Sequence, residues 1–473
     1  RRVAYLLYNF REQLGDKVLI LGPNDIFIDY IGEVLPTLGE SNVNQQTFAH
    51  FVINEIGLNE PIINFTAYLE EVLKGNEEVI NEIKYKAGEG FISVLDKKCE
   101  DLENSYFNVQ AAKFFDEEVV SIEEINDLFE NYYKYMPLFR RSKKIKRIIT
   151  EKLKDKRDEL VRNLNAEVKG KLASLTEEQL VIEQNNIEFQ RKIRIREIVR
   201  ELMIQKENLA KWIDNESIVD IYKEFTNTEN LSYLDLPAIL YLMIKLDGKK
   251  SSKEIKHIVI DEAQDYSPLF YKIIKISFPN ASLTIMGDLN QRIDKHSNVK
   301  NRNSITNIFN DVKTVVLTKS YRSTGNITNF TKDILDTHEP IEAVDRLGDN
   351  PTIHIVNDNL EERISTKIKE MTDKGYKSIA IICKNKENSK KLYSSLNELN
   401  ENVNLIISDK CEFKIGINVI SSYIAKGLEF DGVILADGES YLSIEDKHLF
   451  YTACTRALHE LHIYTNSSLK NIL

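Results

Sequence analysis

The sequence predicts an α/β protein built on two parallel sheets, with a long α-helical insertion in the first. Three observations carry that reading. Short apolar runs that end in polar or glycine turns recur along the chain, as fully buried parallel strands do. They form two sets with helical segments between them, the alternation that builds crossover-connected sheets. From residue 138 to 236, inside the first set, there is no proline and Gly170 is the only glycine.

The first set of strand-like runs lies at 17–22, 257–261, 282–288 and 314–317. The second lies at 352–356, 378–383, 418–421, 432–436 and 461–464, with helical segments such as 267–276 and 389–399 among the runs. In the stretch without breakers, Lys, Glu, Arg, Leu and Ile dominate. Ile193, Ile195, Ile198, Val199 and Leu202 recur there at helical spacing, which predicts long helices and an antiparallel arm closed by one short turn. The expected organisation is a first α/β domain over 1–100 that resumes over 251–330, a helical insertion over 101–250, and a second α/β domain over 331–473.

Composition sets the class. A chain of 473 residues, 42% hydrophobic and 29% charged, has ample core for roughly three domains of about 150 residues. No apolar run approaches the roughly 18 residues that would span a bilayer, and the opening Arg1-Arg2-VAYLLY is too short for a signal peptide, so no membrane is expected. Cys99, Cys383, Cys411 and Cys454 are scattered without a CxxC pair, which predicts a reducing cytoplasm and no structural zinc. His459 and His462 form HxxH without a third ligand. The net charge of −11 removes bulk attraction to nucleic acid, leaving local patches. The run from Arg140 to Arg157 is such a patch, and it reads equally as a solvated helix face.

The chemistry concentrates in HIVIDEAQDYS, residues 257–267, where an apolar run meets Asp261, Glu262, Gln264 and Asp265. Ligands bind outside the carboxyl ends of parallel strands. Carboxylates placed there can hold Mg²⁺ and position a water against a nucleotide phosphate. Further segments follow in order: Gly287-Asp288-Leu-Asn-Gln291, then Ser320-Tyr-Arg322-Ser-Thr324, then Ala425-Lys426-Gly427-Leu-Glu429-Phe-Asp431, then Tyr451-Thr-Ala-Cys-Thr-Arg456-Ala457. Upstream stands Leu21-Gly-Pro-Asn24, and Thr47-Phe48 lies in QQTFAHF.

Together these segments resemble motifs Ia, II, III, IV, V and VI of superfamily 1 helicases of the UvrD/Rep/PcrA kind, with wording closest to the HelD-like branch. The resemblance implies two RecA-like domains of the P-loop NTPase fold with ATP in the cleft between them. It implies that Asp261 holds Mg²⁺, Glu262 polarises the attacking water and Gln291 senses the γ-phosphate. Arg322 and Arg456 become arginine fingers and Glu429 a ribose contact. Gln264, Asp288, Lys426 and Gly427 complete the nucleotide site, while Asn24, Thr47 and Phe48 face nucleic acid. The implied partner is DNA, single-stranded or duplex with a tail, or RNA polymerase for the HelD-like branch. Outside that role, Arg322 reads as a partner for a surface carboxylate, Arg456 as a cap, and Thr47-Phe48 as part of a half-buried strand.

Three departures shape the expectation. The phosphate-cradling GxxxxGK[ST] loop is absent from the chain. In the family it lies just upstream of what residues 1–8 resemble, so the chain is expected to be cut after it, to bind ATP weakly and to hydrolyse it negligibly. After Gln291 no base-stacking aromatics follow, and Tyr423-Ile-Ala stands where motif V usually carries a histidine. Only about 100 residues separate Arg322 from Lys426, too few for the large second insertion of UvrD-type enzymes. The missing aromatics, Tyr423-Ile-Ala and the short spacing favour the HelD-like alternative over strand separation.

Overall fold

In this computed structural model the described residues are 17–37, 43–251, 254–293, 303–309, 311–335, 341–399, 402–408, 411, 414–441, 443 and 446–469, with backbone alone at 33–37. Residues 1–8 and most of the polar stretch after Gln291 lie outside them. The chain divides into two compact units. One comprises Arg1–Ile92, Asn230–Leu240 and Ser251–Leu473; the other comprises Ser93–Glu229 and Tyr241–Lys250.

Strands β1 (Val18–Gly22) and β2 (Asn44–Thr47) precede a hairpin of β3 (Ala112–Phe114) and β4 (Glu117–Val120). After β5 (His257–Ile260) and β6 (Ser282–Ile285) come the two-residue β7 (Lys319–Ser320) and β8 (Glu342–Ala343). The later strands are β9 (Thr352–Ile355), β10 (Ile379–Cys383), β11 (Val403–Ile406), β12 (Ile417–Ser421), β13 (Phe430–Leu435) and β14 (Ala457–Thr465). The helices that matter below are α1 (Asp25–Thr37), α2 (Phe48–Ile56), α3 (Phe65–Leu73), α4 (Leu138–Ala173), α5 (Glu177–Ile213), α6 (Lys386–Glu398) and α7 (Lys447–Cys454).

The first unit holds both large sheets. One has the order β2-β1-β5-β6 and the other β11-β12-β10-β13-β14-β9. Every pairing in both is parallel. The central strands are apolar and buried throughout, as VLILG, HIVI and IAIIC show. That is the pattern of sheets covered on both faces. Ile26 of α1 and Leu69 of α3 share one buried cluster with Ile382, Leu435 and Phe450 of the second sheet's layer. Helices α1 and α3 therefore pack into the second sheet's core, while Val18, Ile20 and Val259 of the first sheet form a cluster of their own.

One expected strand does not form. Residues 312–318 carry no strand pairing, and Val315, Val316 and Leu317 are 68%, 48% and 88% exposed. A β-branched run becomes a strand only when a neighbour supplies a ladder and a face to pack on. Here pairing starts at Lys319, against Glu342. Conversely β11 pairs with β12, although the mixed VNLI did not read as a strand.

The second unit is a helical hairpin with a small sheet on it. Thr176 and Gln179 form a capping box that starts α5 after the short turn from α4. Ile145, Ile149 and Leu153 of α4 bury against Ile198, Leu202 and Leu209 of α5, with Phe114 and Val120 of the β3–β4 hairpin. The basic run on α4 is largely neutralised in place. Arg141 is buried against Glu103 and backbone carbonyls. Lys143, Lys146, Arg147, Lys152, Lys156 and Arg157 each pair with a carboxylate. The run behaves mainly as a paired helix face. No helix among the described residues is long and apolar enough to cross a membrane.

The HxxH pair serves the second sheet. Arg346 bonds the His459 ring, and His462 Nε2 lies 2.7 Å from Glu460, which also takes Lys374 at 2.8 Å. The His462 contact, with Lys374 behind it, holds the Glu460 carboxyl down at about 2 in spite of its burial. A depressed carboxylate pKa contributes stability that is present above the unfolded value of 4.5 and is lost as pH falls through about 2. Glu460→Gln should therefore cost on the order of 2 kcal/mol at pH 7. Urea melts at a series of pH values should show that gap closing between pH 4.5 and 2.

Candidate functional site

The β5 strand ends at Ile260 and delivers Asp261 and Glu262 outside the carboxyl edge of the first sheet. Glu262 adopts φ 50°, the left-handed region that a non-glycine residue enters only when its surroundings hold it there. The holding contacts are on the next strand's loop. Ala263 N–H donates to Met286 O at 2.9 Å. Gln264, 1% exposed, donates from Nε2 to Glu262 Oε2 at 2.6 Å, and its Oε1 accepts the Asp288 N–H at 3.0 Å. Gly287 is required by this closeness, since a Cβ there would lie 2.7 Å from Gln264 Oε1 and 3.0 Å from Ala263 Cβ. Asp288 in turn accepts from Gln291 Nε2 at 2.9 Å and from Asn290 N–H at 2.9 Å.

Loops of the second sheet bring Lys426 and Arg456 to the same place, and the short β7–β8 pair brings Arg322. The loop between β12 and β13 carries Lys426, 1% exposed, whose Nζ lies 2.5 Å from Asp265 Oδ2 and 3.4 Å from Glu262 Oε2. Gly427 has φ 83°, and a Cβ on it would meet the Phe27 ring at 2.7 Å, so this loop presses on α1. Arg322, just after β7, donates from Nε to Glu429 Oε1 at 2.6 Å. Arg456 leaves the end of α7 fully buried. It bonds the Thr452 carbonyl at 2.9 Å and places Nη2 on Gln291 Oε1. A second link joins the same elements, His448 Nδ1 to Asn290 O at 2.9 Å.

The electrostatics follow the geometry. Burial, then the neighbouring Glu262 charge, pushes the Asp261 carboxyl up to about 6. Burial alone would raise Glu262 too, but Lys426, Arg456, the Gln264 bond and Arg322 outweigh it and hold the carboxyl below its ordinary value. Burial and the nearby Arg322 lower the Arg456 guanidinium to about 10. The adjacent acids are thus unequal. A hard divalent cation wants such carboxylate oxygens, and magnesium takes only one or two from protein while phosphates and waters complete its shell. Asp261 and Glu262 fit that pattern.

Glu262, Gln291, Arg456, Asp261, Gln264, Asp288, Lys426 and Gly427 therefore meet in one cleft, with Arg322 and Glu429 paired beside them. Asn24, Thr47 and Phe48 are placed differently. Asn24 Oδ1 accepts Phe27 N–H at 2.8 Å at the start of α1, and Thr47 Oγ1 accepts His50 N–H at 3.2 Å as the cap of α2. Phe48 is buried, with its ring 4.4 Å edge-to-face from Phe270. Capping and core packing occupy these groups, and no ring is offered to a base.

Sequence reasoning missed the Lys426–Asp265 bond, although both residues stood in quoted segments. It also missed Glu70 of α3, whose Oε1 accepts the Lys386 N–H of α6 at 2.8 Å and the Tyr423 hydroxyl at 2.5 Å. No pattern marks that contact.

Two parallel sheets whose loops pool acidic and cationic groups in a shared cleft define a superfamily 1 helicase fold of RecA-like lobes. Comparison with known proteins agrees. Residues 81–313 match the UvrD/REP helicase N-terminal domain, and residues 387–468 match the UvrD-like helicase C-terminal domain. The chain is 27% identical over 126 residues to the ATP-dependent DNA helicase Rep of Buchnera aphidicola, covering 25% of this chain and 19% of that protein. It is 30% identical over 142 residues to DNA helicase II of Haemophilus influenzae, covering 28% and 19% respectively. A solved C-terminal domain of a possible DNA helicase from a Lactobacillus is 32% identical over 33% of this chain and 94% of that one, at a TM-score of 0.27 that carries no argument about fold. The chain belongs to the UvrD/Rep-type family of superfamily 1 helicases. It spans less than a fifth of the length of these curated relatives.

Lys426→Met should destabilise the protein by about 3 kcal/mol, because it strands two buried carboxylates without their cation. Adding Asp265→Asn should recover part of that loss in a double-mutant cycle read by urea denaturation. Additive losses would show that the pair is not coupled.

Proposed function

We propose that this chain is the motor of an ATP-dependent DNA helicase or translocase, coupling hydrolysis between two RecA-like lobes to movement on nucleic acid. The observation that carries the reading is the Arg456–Gln291 bond, which joins the last motif of the second lobe to the loop after β6 in the first. The proposed lobes are 1–100 with 251–330 and 331–473, interrupted by a helical arm over 101–250. Glu262, charged and fixed by Gln264, takes the proton of the attacking water. Asp261 would hold Mg²⁺, which when bound offsets phosphate charge, and Asp288 belongs to the nucleotide site through its bonds to Gln264 and Gln291. Arg322 and Arg456 stabilise charge on the transferring phosphoryl group, Glu429 meets the ribose, and Lys426 with Gly427 sets the loop that carries it. Thr47, Phe48 and Asn24 support the nucleic-acid face through the elements they cap and pack.

Because Arg456 comes from the opposite lobe, hydrolysis depends on closure, and closure is what a motor cycles. In the present arrangement each cation already has a protein partner. A triphosphate must take Arg322 from Glu429 and share Arg456 with Gln291. Entry of nucleotide therefore exchanges contacts within the cleft.

A second reading is a HelD-like ATPase that remodels RNA polymerase. One observation favours it: near the tip of the α4–α5 hairpin Val181, Ile182 and Phe189 are 82%, 77% and 58% exposed, apolar surface suited to a protein partner.

The chain alone, which holds no GxxxxGK[ST] loop, should hydrolyse ATP at background. Appending a phosphate-cradling segment ahead of Arg1 should give turnover that single-stranded DNA stimulates and Glu262→Gln abolishes. Turnover indifferent to DNA but raised by RNA polymerase would select the second reading. Robust turnover that survives Glu262→Gln would refute both.

A further inference from the structure

The helical unit contains a cavity of about 1030 Å³ that the motor chemistry does not use. Three aromatic residues face it: Tyr106, Phe115 and Trp212. Pockets that bind ligands combine apolar and aromatic walls with a few placed polar groups, and this volume stands at the upper end of their usual range of about 300–1,000 Å³.

Phe115 is held in an unusual way. It forms the turn of the β3–β4 hairpin with φ 52°, a region that a bulky aromatic residue occupies only under constraint. Its N–H donates to Glu201 Oε1 at 3.0 Å, and the Arg194 guanidinium lies 5.1 Å above its ring. The hairpin thus spends backbone strain on presenting a half-buried ring at the cavity. Tyr106 is fixed as well, its hydroxyl accepting Glu216 N–H at 2.7 Å. The rings are pre-set.

The polar lining has a distinct chemistry. Lys113 and Lys211 both stand exposed at the cavity, Lys113 with no carboxylate bonded to it and Lys211 touching only the Asn208 side-chain Oδ1 at 3.1 Å among the described residues. The cations of the α4 run, by contrast, are mostly paired. Carboxamides of Asn108, Gln110 and Gln205 add donors and acceptors. Two acids line it as well: Asp214 is already taken by Lys146 at 2.6 Å, and Glu216 stands exposed. Charge distribution favours the same place. The helical unit has 28 Lys/Arg against 29 Asp/Glu, whereas the remainder has 35 against 45, so a polyanion meets little net repulsion here.

We propose that this cavity is a binding site for unpaired nucleobases, a seat for single-stranded nucleic acid on the helical unit. The rings stack on bases, the carboxamides meet base edges, and the two lysines take the flanking phosphates. An apolar peptide is the competing occupant, but two unpaired lysines and a ring of carboxamides suit a base and its phosphates better than a greasy side chain. The site is independent of the ATP chemistry, since no residue of the cleft belongs to it.

The chain reports on the site directly, because Trp212 is its only tryptophan. Titration with oligo(dT) should change Trp212 emission saturably, with affinity falling as salt rises. Phe115→Ala should weaken binding roughly tenfold or more. The double variant Lys113→Glu, Lys211→Glu changes only exposed positions; it should keep the wild-type thermal transition, lose most of its affinity and flatten the salt dependence. An abasic oligonucleotide of equal length should not compete. The proposal is overturned if labelled oligo(dT) binds by anisotropy while Trp212 emission stays constant, or if the abasic strand competes equally. It is also overturned if a leucine-rich helical peptide changes the emission and oligo(dT) does not.

Discussion

The cleft depends on one constraint: charges removed from water must be answered by other charges or by hydrogen bonds. Lys426 is enclosed, and so is the guanidinium of Arg456. Each is answered from the first sheet's loops, by Asp265 with Glu262 and by Gln291. The required closeness dictates much else. Gly287 must lack a side chain, Gln264 must be an amide that can donate to one loop and accept from another, and Glu262 must sit in a left-handed backbone conformation. The hydrophobic layer shared by α1, α3 and the second sheet holds the loops within reach of one another.

The same constraint makes the cleft responsive. On the proposed function, a bound triphosphate would compete with Glu429 and Gln291 for the arginines. A protein-only network that is satisfied without nucleotide is stable, yet it uses the groups that nucleotide needs. On the proposed function, nucleotide entry would exchange these hydrogen bonds for contacts with the phosphates, the kind of switch a two-state motor element uses.

Much of this was legible in the sequence because the informative segments lie where strands end. The apolar HIVI and IAIIC runs marked buried parallel strands, and the lack of breakers between 138 and 236 marked the long hairpin. The failures have physical causes. Residues 314–317 look like a strand, but propensity needs a partner ladder. The basic run on α4 read equally as a nucleic-acid patch and as a solvated helix face, because its deciding partners, such as Glu124 and Glu117, come from distant positions that local pattern cannot pair. Thr47-Phe48 read both as a segment facing nucleic acid and as part of a half-buried strand, and the buried Phe48 ring against Phe270 is a contact that local pattern does not show. Glu70 and Tyr423 meet across the fold with no local signal at all.

The proposed function turns on the acids that follow β5 acting with Arg322 and Arg456 on one phosphoryl group. The most direct measurement is single-turnover ATP hydrolysis by the phosphate-loop-bearing protein with Arg456→Ala, alongside the nucleotide dissociation constant. The account predicts a rate loss of about 10³–10⁵ with binding little changed, as for a residue that acts on the transition state. An unchanged rate, or a loss confined to binding, would contradict it.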